Sequence, residues 1–222
     1  MVTTSWDDGH PLDLKLAELL AKYELAATFY IPLFNEENQV MKKKEIKTIA
    51  IDFEVGGHTL HHYRLTQIAR EKVLPEIAEG KKGLEDIIGK EVSVFCYPGG
   101  LYSKKVVEAV EELKFRGART TKRFQTSYPK SSFKMGTTVQ AYPHTVKQNF
   151  KEAGINRLIF SSWQEQAIFC FNSVCQQGGI FHMWGHSWEI ERYNLWRPLE
   201  QIFKYISKRK EVWYLTNNQI VT

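Results

Sequence analysis

The feature that most constrains the fold of this chain is a succession near its start. An apolar run at residues 2 to 6 is followed by a helix-period stretch from Pro11 to Tyr23 and a second strand-like run from Ala26 to Pro32. Leu14, Leu16, Leu19, Leu20 and Tyr23 fall on one stripe at helical spacing, while Ala26 to Pro32 is rich in aromatic and β-branched residues. Two strands joined through a helix cannot form a tight hairpin. The helix carries the chain back along the sheet, so the strands run parallel. Further strand-like runs follow at 53–58, 92–97, 136–142, 180–186 and 212–215. Between them lie helical patterns at 46–52, 66–88, 103–113, 146–153, 162–175 and 197–208. Pro75 is expected to bend or split the second of these. Seven strands alternating with helices predict an α/β fold, a single-domain distorted (β/α)7 barrel over residues 1–222.

Parallel barrels carry their reactive groups at the C-terminal ends of the strands. The first run ends in Asp7-Asp8-Gly9-His10. Side chains alternate along a strand, so adjacent aspartates face different ways, and one can hold a metal while the other meets a substrate. Asp8 with His58 and His62 makes an oxygen-plus-two-nitrogen donor set, suited to Zn²⁺ or another first-row divalent ion with a position left open. His186 ends the sixth run and is the candidate general acid; His182, four residues earlier on the same face, competes for the role. His61 reads as a supporting or surface residue, and His10 and His144 have no supporting spacing. Tyr97-Pro98-Gly99-Gly100 forms a turn whose backbone N–H can stabilise an oxyanion. Tyr97, Tyr102, Trp184 and Trp188 stand near the expected rim, where they could stack on a substrate ring.

Asp-Asp-Gly, His-Thr-x-x-His at 58–62, Tyr97-Pro98-Gly99-Gly100 and Trp184-Gly185-His186, in this order from about residue 3 to residue 191, resemble the polysaccharide deacetylases of carbohydrate esterase family 4. The resemblance implies a metal-dependent hydrolase that removes N-acetyl groups from an amino sugar, glycan or glycolipid. It implies that a water at the ion attacks the amide carbonyl, with Asp7 as base, His186 as acid and Gly99 as oxyanion donor. The chain departs from the family pattern twice. The arginine that steadies the base two places before the proline is replaced by Cys96, with Arg119 the candidate to stand in for it. The aspartate and tryptophan of a fourth motif have no counterpart between residues 135 and 145.

Hydrophobic residues at 43% and charged residues at 25% exclude a disordered or fibrous chain. No apolar run approaches the roughly 20 residues of a membrane span, and residues 1 to 10 lack a charged stretch followed by an apolar one. A soluble cytoplasmic protein is therefore expected. Three cysteines without CxxC spacing make neither a disulfide framework nor a cysteine zinc site, which fits a reducing compartment. The net charge of +5 is concentrated between residues 114 and 134, where seven cations occur with no acid. A solvated face is the reading, and no nucleic-acid partner is expected. Two alternatives stand beside the deacetylase: a C–N hydrolase of the same fold acting on a small non-sugar amide, and a non-catalytic glycan-binding module. The oligomeric state is left open.

Overall fold

The computed structural model describes residues 1–144 and 162–221. Seven parallel strands form one curled sheet: β1 (Val2–Asp7), β2 (Ala27–Ile31), β3 (Glu54–Gly57), β4 (Val94–Cys96), β5 (Gly117–Arg119), β6 (Val139–Gln140) and β7 (Phe181–Gly185). Their order is β5-β4-β3-β2-β1-β7-β6, so β1 has β2 and β7 on its flanks. The two ends of the sheet are joined by the segment that leads into β6. There Met135 N–H donates to Ala118 O at 3.0 Å and Thr120 N–H to Met135 O at 2.8 Å, and then Thr138 N–H donates to His182 O at 2.8 Å. The result is a distorted (β/α)7 barrel.

Eight helices occur among the described residues: α1 (Asp13–Lys22), α2 (Lys43–Asp52), α3 (Arg70–Ile88), α4 (Lys104–Glu112), α5 (Trp163–Gln177), α6 (Ser187–Arg192), α7 (Trp196–Ile206) and α8 (Asn217–Val221). Each longer helix buries a stripe against the sheet. In α7 the stripe is Leu199, Ile202, Phe203 and Ile206, at the i, i+3, i+4, i+7 spacing of one face. Ser103 and Ser162 accept hydrogen bonds from the third residue beyond them and so start α4 and α5. The main core contains Trp6, Phe29, Phe95, Phe181 and Phe203, all fully enclosed, and Tyr30, Val94 and Cys96 form a second, smaller cluster.

Three expectations are corrected. The run 212–215 is not a barrel strand. It touches β1 at the single bridge Val2–Tyr214, because β2 begins opposite Thr4 and leaves only the first two residues of β1 unpaired on that side. The seventh strand is instead β5, a short segment inside the basic stretch. Finally, α3 runs unbroken through Pro75, anchored by Ile77, Gly80, Leu84 and Ile87. The helix expected at 146–153 lies outside the described residues.

Candidate active site

The C-terminal ends of β1, β3, β4, β5 and β7 bring together the polar residues of the site. Asp7 is the last residue of β1, and Asp8 follows with φ 76°, in the left-handed region. This turn sends the two carboxylates apart, Asp7 toward β4 and β5 and Asp8 toward the loop after β3. That loop holds His58 and His62, and Thr59 and His62 are also left-handed, at φ 68° and 60°. Non-glycine residues in this region cost of order 1 kcal/mol each and concentrate where function demands a particular geometry. The loop is held from below by α3. Leu60 N–H donates to Glu76 O at 2.9 Å, and Glu76 also accepts from the backbone and ring of His61. A Cβ on Gly80 would lie 2.6 Å from the Thr59 carbonyl carbon, so only glycine lets α3 approach this closely.

Asp8 Oδ1 lies 3.2 Å from His62 Nε2 and 3.7 Å from His58 Nε2. The donor atoms of all three residues fall within 4.8 Å of one another. His58 Nδ1 donates to Cys96 O at 2.8 Å, which turns an Nε2 lone pair toward Asp8. Asp8 Oδ1 is buried and accepts no hydrogen bond, while its Oδ2 accepts from Trp188 Nε1 at 2.9 Å. Lone pairs facing each other around an unsatisfied carboxylate oxygen fit a cation, and one oxygen with two imidazole nitrogens suits a first-row divalent ion. Burial alone would raise the Asp8 pKa. The neighbouring histidines outweigh it and hold the carboxyl well below the usual range.

Asp7 is fully enclosed and both its oxygens pair with Arg119 Nη2. Here too burial opposes ionisation, but the charge of Arg119 prevails and the carboxyl stays below its ordinary pKa. His186 stands at the N-terminus of α6, with its Nδ1 2.6 Å from Glu189 Oε2. Burial would lower its pKa, yet the Glu189 contact and the charges of Asp8 and Asp7 push it up to about 9. Glu189 in turn accepts from Gln140 Nε2 at 3.3 Å, and Gln140 Oε1 lies 2.9 Å from His144 Nε2.

The structure therefore brings Asp7, Asp8, His58, His62, Arg119, His186 and Trp188 to one place. The expectation that Tyr97 and Trp184 stack on a sugar is corrected. The Tyr97 side chain is 0% exposed and its hydroxyl donates to Phe133 O at 3.1 Å; Trp184 is 5% exposed and packs under the Arg119 guanidinium. Tyr102, 41% exposed, and the half-buried Trp188 do reach the surface. His182 lies inside the barrel against Ser5 Oγ at 2.8 Å, and burial lowers its pKa to about 3. His61 packs between Phe34 and Tyr63 and pairs with Glu76. Two residues were not foreseen. Glu189 had a visible signal, since it follows His186 by three positions at a helix start. Asp13 had none: it is buried in the first turn of α1, and burial raises its pKa well above the carboxylate range.

The sequence profile of the family described as polysaccharide deacetylase matches residues 1–118, more than half of the 222. The chain belongs to the polysaccharide deacetylase family. A peptidoglycan-N-acetylglucosamine deacetylase of Bacillus cereus is 29% identical over 115 residues, covering 50% of this chain and 52% of the relative. The chain spans about half the length of the curated relatives it matches. Among solved structures, a family 4 acetyl xylan esterase from Clostridium thermocellum, in complex with a cobalt ion, superposes with a TM-score of 0.61 at 16% identity, covering 99% of this chain and 89% of that one. A CE4 family pseudoenzyme from Bacillus anthracis gives 0.62 at 16% identity, over 100% of this chain and 65% of that one. These two show the (β/α)7 barrel fold alone. Because the fold also houses a pseudoenzyme, activity has to be argued from the site.

Proposed function

We propose that this polysaccharide deacetylase family member is a metal-dependent N-deacetylase. It hydrolyses the acetamide of an N-acetylated amino sugar within a glycan or glycolipid to acetate and a free amine. The observation that carries the reading is the convergence of Asp8, His58 and His62 on one point, with Asp7 and His186 beside it and outside the ligand set. A divalent ion at these three residues, Zn²⁺ by the donor types, supplies Lewis-acid polarisation of the carbonyl and makes a water acidic enough to deprotonate near neutral pH.

The remaining steps belong to the protein's own side chains. Asp7, ionised by its guanidinium partner, takes the proton from the attacking water. His186, protonated through neutral pH, gives a proton to the leaving nitrogen as the C–N bond breaks. The oxyanion is met by a backbone donor in the turn after β4. Pro98 has no N–H, and Gly100 N–H is committed to Tyr97 O at 2.8 Å, so Gly99, at φ 63°, is the donor there. Trp188 fixes the far oxygen of Asp8, leaving Oδ1 for the ion. The sugar class is supported by the peptidoglycan N-acetylglucosamine in the name of the Bacillus cereus relative.

Acetate release from N-acetylglucosamine oligomers, monosaccharide derivatives and glycolipids tests the reading. Turnover abolished by a chelator and restored by Zn²⁺ is the expected result. Turnover only on small non-sugar amides, or sugar binding with no acetate released, would overturn it in favour of the C–N hydrolase or the binding module.

A further inference from the structure

Three exposed cations on the site face have no counter-charge. Arg64 follows His62 by two positions, in the loop after β3, and its side chain lies across the turn after β4. A Cβ on Gly99 would fall 3.5 Å from Arg64 Nε and 3.9 Å from its Cδ and Cγ, so the space over that turn belongs to Arg64 and its guanidinium stands beside it. The other two come from the basic stretch, which β5 divides. Lys114 and Arg116 precede the strand, where Arg116 pairs with Glu91 at 3.2 Å, while Lys122 lies beyond its C-terminal end, on the side of the site. Lys122 follows Thr121, which packs against Gly100 of the same turn. Lys134 Nζ stands 5.8 Å from the ring centre of Tyr102, just past the turn and 41% exposed. Among the described residues none of Arg64, Lys122 and Lys134 forms an ion pair.

The carboxylates of the site do not balance these cations, since Asp7 is held by Arg119 and Asp8 faces the two histidines. A rim lined by one sign of charge attracts the opposite sign and raises its local concentration. Charge developing on the acetamide oxygen calls for donors at a single point. Cations spread from the loop after β3 to residue 134 fit a permanent negative charge elsewhere on the bound molecule. We infer that Arg64, supported by Lys122 and Lys134, selects an N-acetylated amino sugar that carries an anionic substituent, a carboxylate or a phosphate, near its acetamide. This rests on the reading of the site as an N-deacetylase and names the substrate class within it.

Acetate release from three sugars, each as monomer and oligomer, decides this: N-acetylglucosamine, the same sugar bearing an ether-linked carboxylate, and the same sugar bearing a phosphate. The wild type should favour at least one anionic form over the parent by about tenfold in kcat/KM, mainly through KM, and added NaCl should shrink that preference. Whichever anion gains more identifies the substituent. Arg64→Ala should cut the anionic-to-parent ratio by about tenfold, the size of one lost charge-assisted hydrogen bond, and Arg64→Glu by about 100-fold. Arg64→Lys should retain most of the ratio because it keeps the charge, and Lys134→Ala should lower it by about two- to threefold. A wild type that treats the three sugars alike would overturn the inference, as would a preference that survives Arg64→Glu. So would an equal fall in kcat on all three sugars in Arg64→Ala, which would make Arg64 a donor to the oxyanion instead. If no sugar releases acetate, the proposed function fails, and equilibrium binding of the three sugars to the wild type and Arg64→Glu decides selection alone. A preference for the anion that Arg64→Glu removes supports it; equal binding, or a preference that persists in the variant, refutes it.

Discussion

Asp8 meets His58 and His62 through tight loops at the ends of two strands, and three of the non-glycine residues in those loops sit in the left-handed region. The groups that hold the proposed base and acid are arranged quite differently. Asp7 reaches a guanidinium 112 residues away on β5, and His186 takes its carboxylate from the helix it starts. The difference follows from what each group must supply. Metal donors must aim lone pairs at one point, which demands a particular backbone path and therefore a recognisable spacing. A supporting charge needs only to lie against its target, so any element packed there can provide it. One wall of the site is set by local geometry and the other by tertiary packing.

If the ligand wall works as a unit, His58→Ala has the largest effect. Bound metal should fall far below one ion per chain and acetate release by roughly 10³-fold or more, read by metal analysis beside kinetics. Full activity in that variant would erase the contrast between the walls where it is strongest. On the supporting wall, Glu189→Gln should reduce kcat near neutral pH by about tenfold and change the pH profile. With the His186 pKa raised to about 9, activity should fall as pH rises through that value. Removing the Glu189 charge should move this limb downward, toward the ordinary 6.5. The sign for stability is the same. A raised folded-state pKa contributes stability that is fully present below 6.5 and lost as pH climbs through about 9, and Glu189→Gln should flatten that dependence.

Trp188→Phe probes the ligand wall more finely. It removes the hydrogen bond to Asp8 Oδ2 but no ligand, so metal affinity should weaken by about 10- to 100-fold in a competition titration while kcat at saturating metal is nearly kept. His61→Ala has the smallest expected effect on chemistry. It lies between the two proposed ligands in sequence yet pairs with Glu76, so kcat should stay within about twofold and only stability should drop, by about 1 kcal/mol in a denaturant titration.

The same division explains what could be read before the fold was known. β1 to β4 and β7 announce themselves by apolar runs, and the pair His58 and His62 by its short spacing. β5 is only Gly-Ala-Arg, with one apolar side chain in a basic stretch, so neither periodicity nor composition marks it as a strand. Arg119 lies in a stretch that reads as a solvated face, and only the departure from the family motif at Cys96 picks it out, although the barrel encloses it completely. The run at 212–215 is over-read for the opposite reason: it is apolar and aromatic, but β1 has only its first two residues free on that side, and it forms a single bridge there. Pro75 costs one intrahelical bond, and the apolar face of α3 keeps the helix intact regardless. Glu189 takes over the support for His186 that no residue between 135 and 145 announced as a motif.

Most rests on the division of labour between two adjacent carboxylates, and Asp7→Asn and Asp8→Asn, each assayed for bound metal and acetate release, test it directly. Asp7→Asn should keep about one ion per chain and lose nearly all turnover, whereas Asp8→Asn should lose both together. An Asp7→Asn protein that sheds its ion, or that still releases acetate at the wild-type rate, would contradict that division.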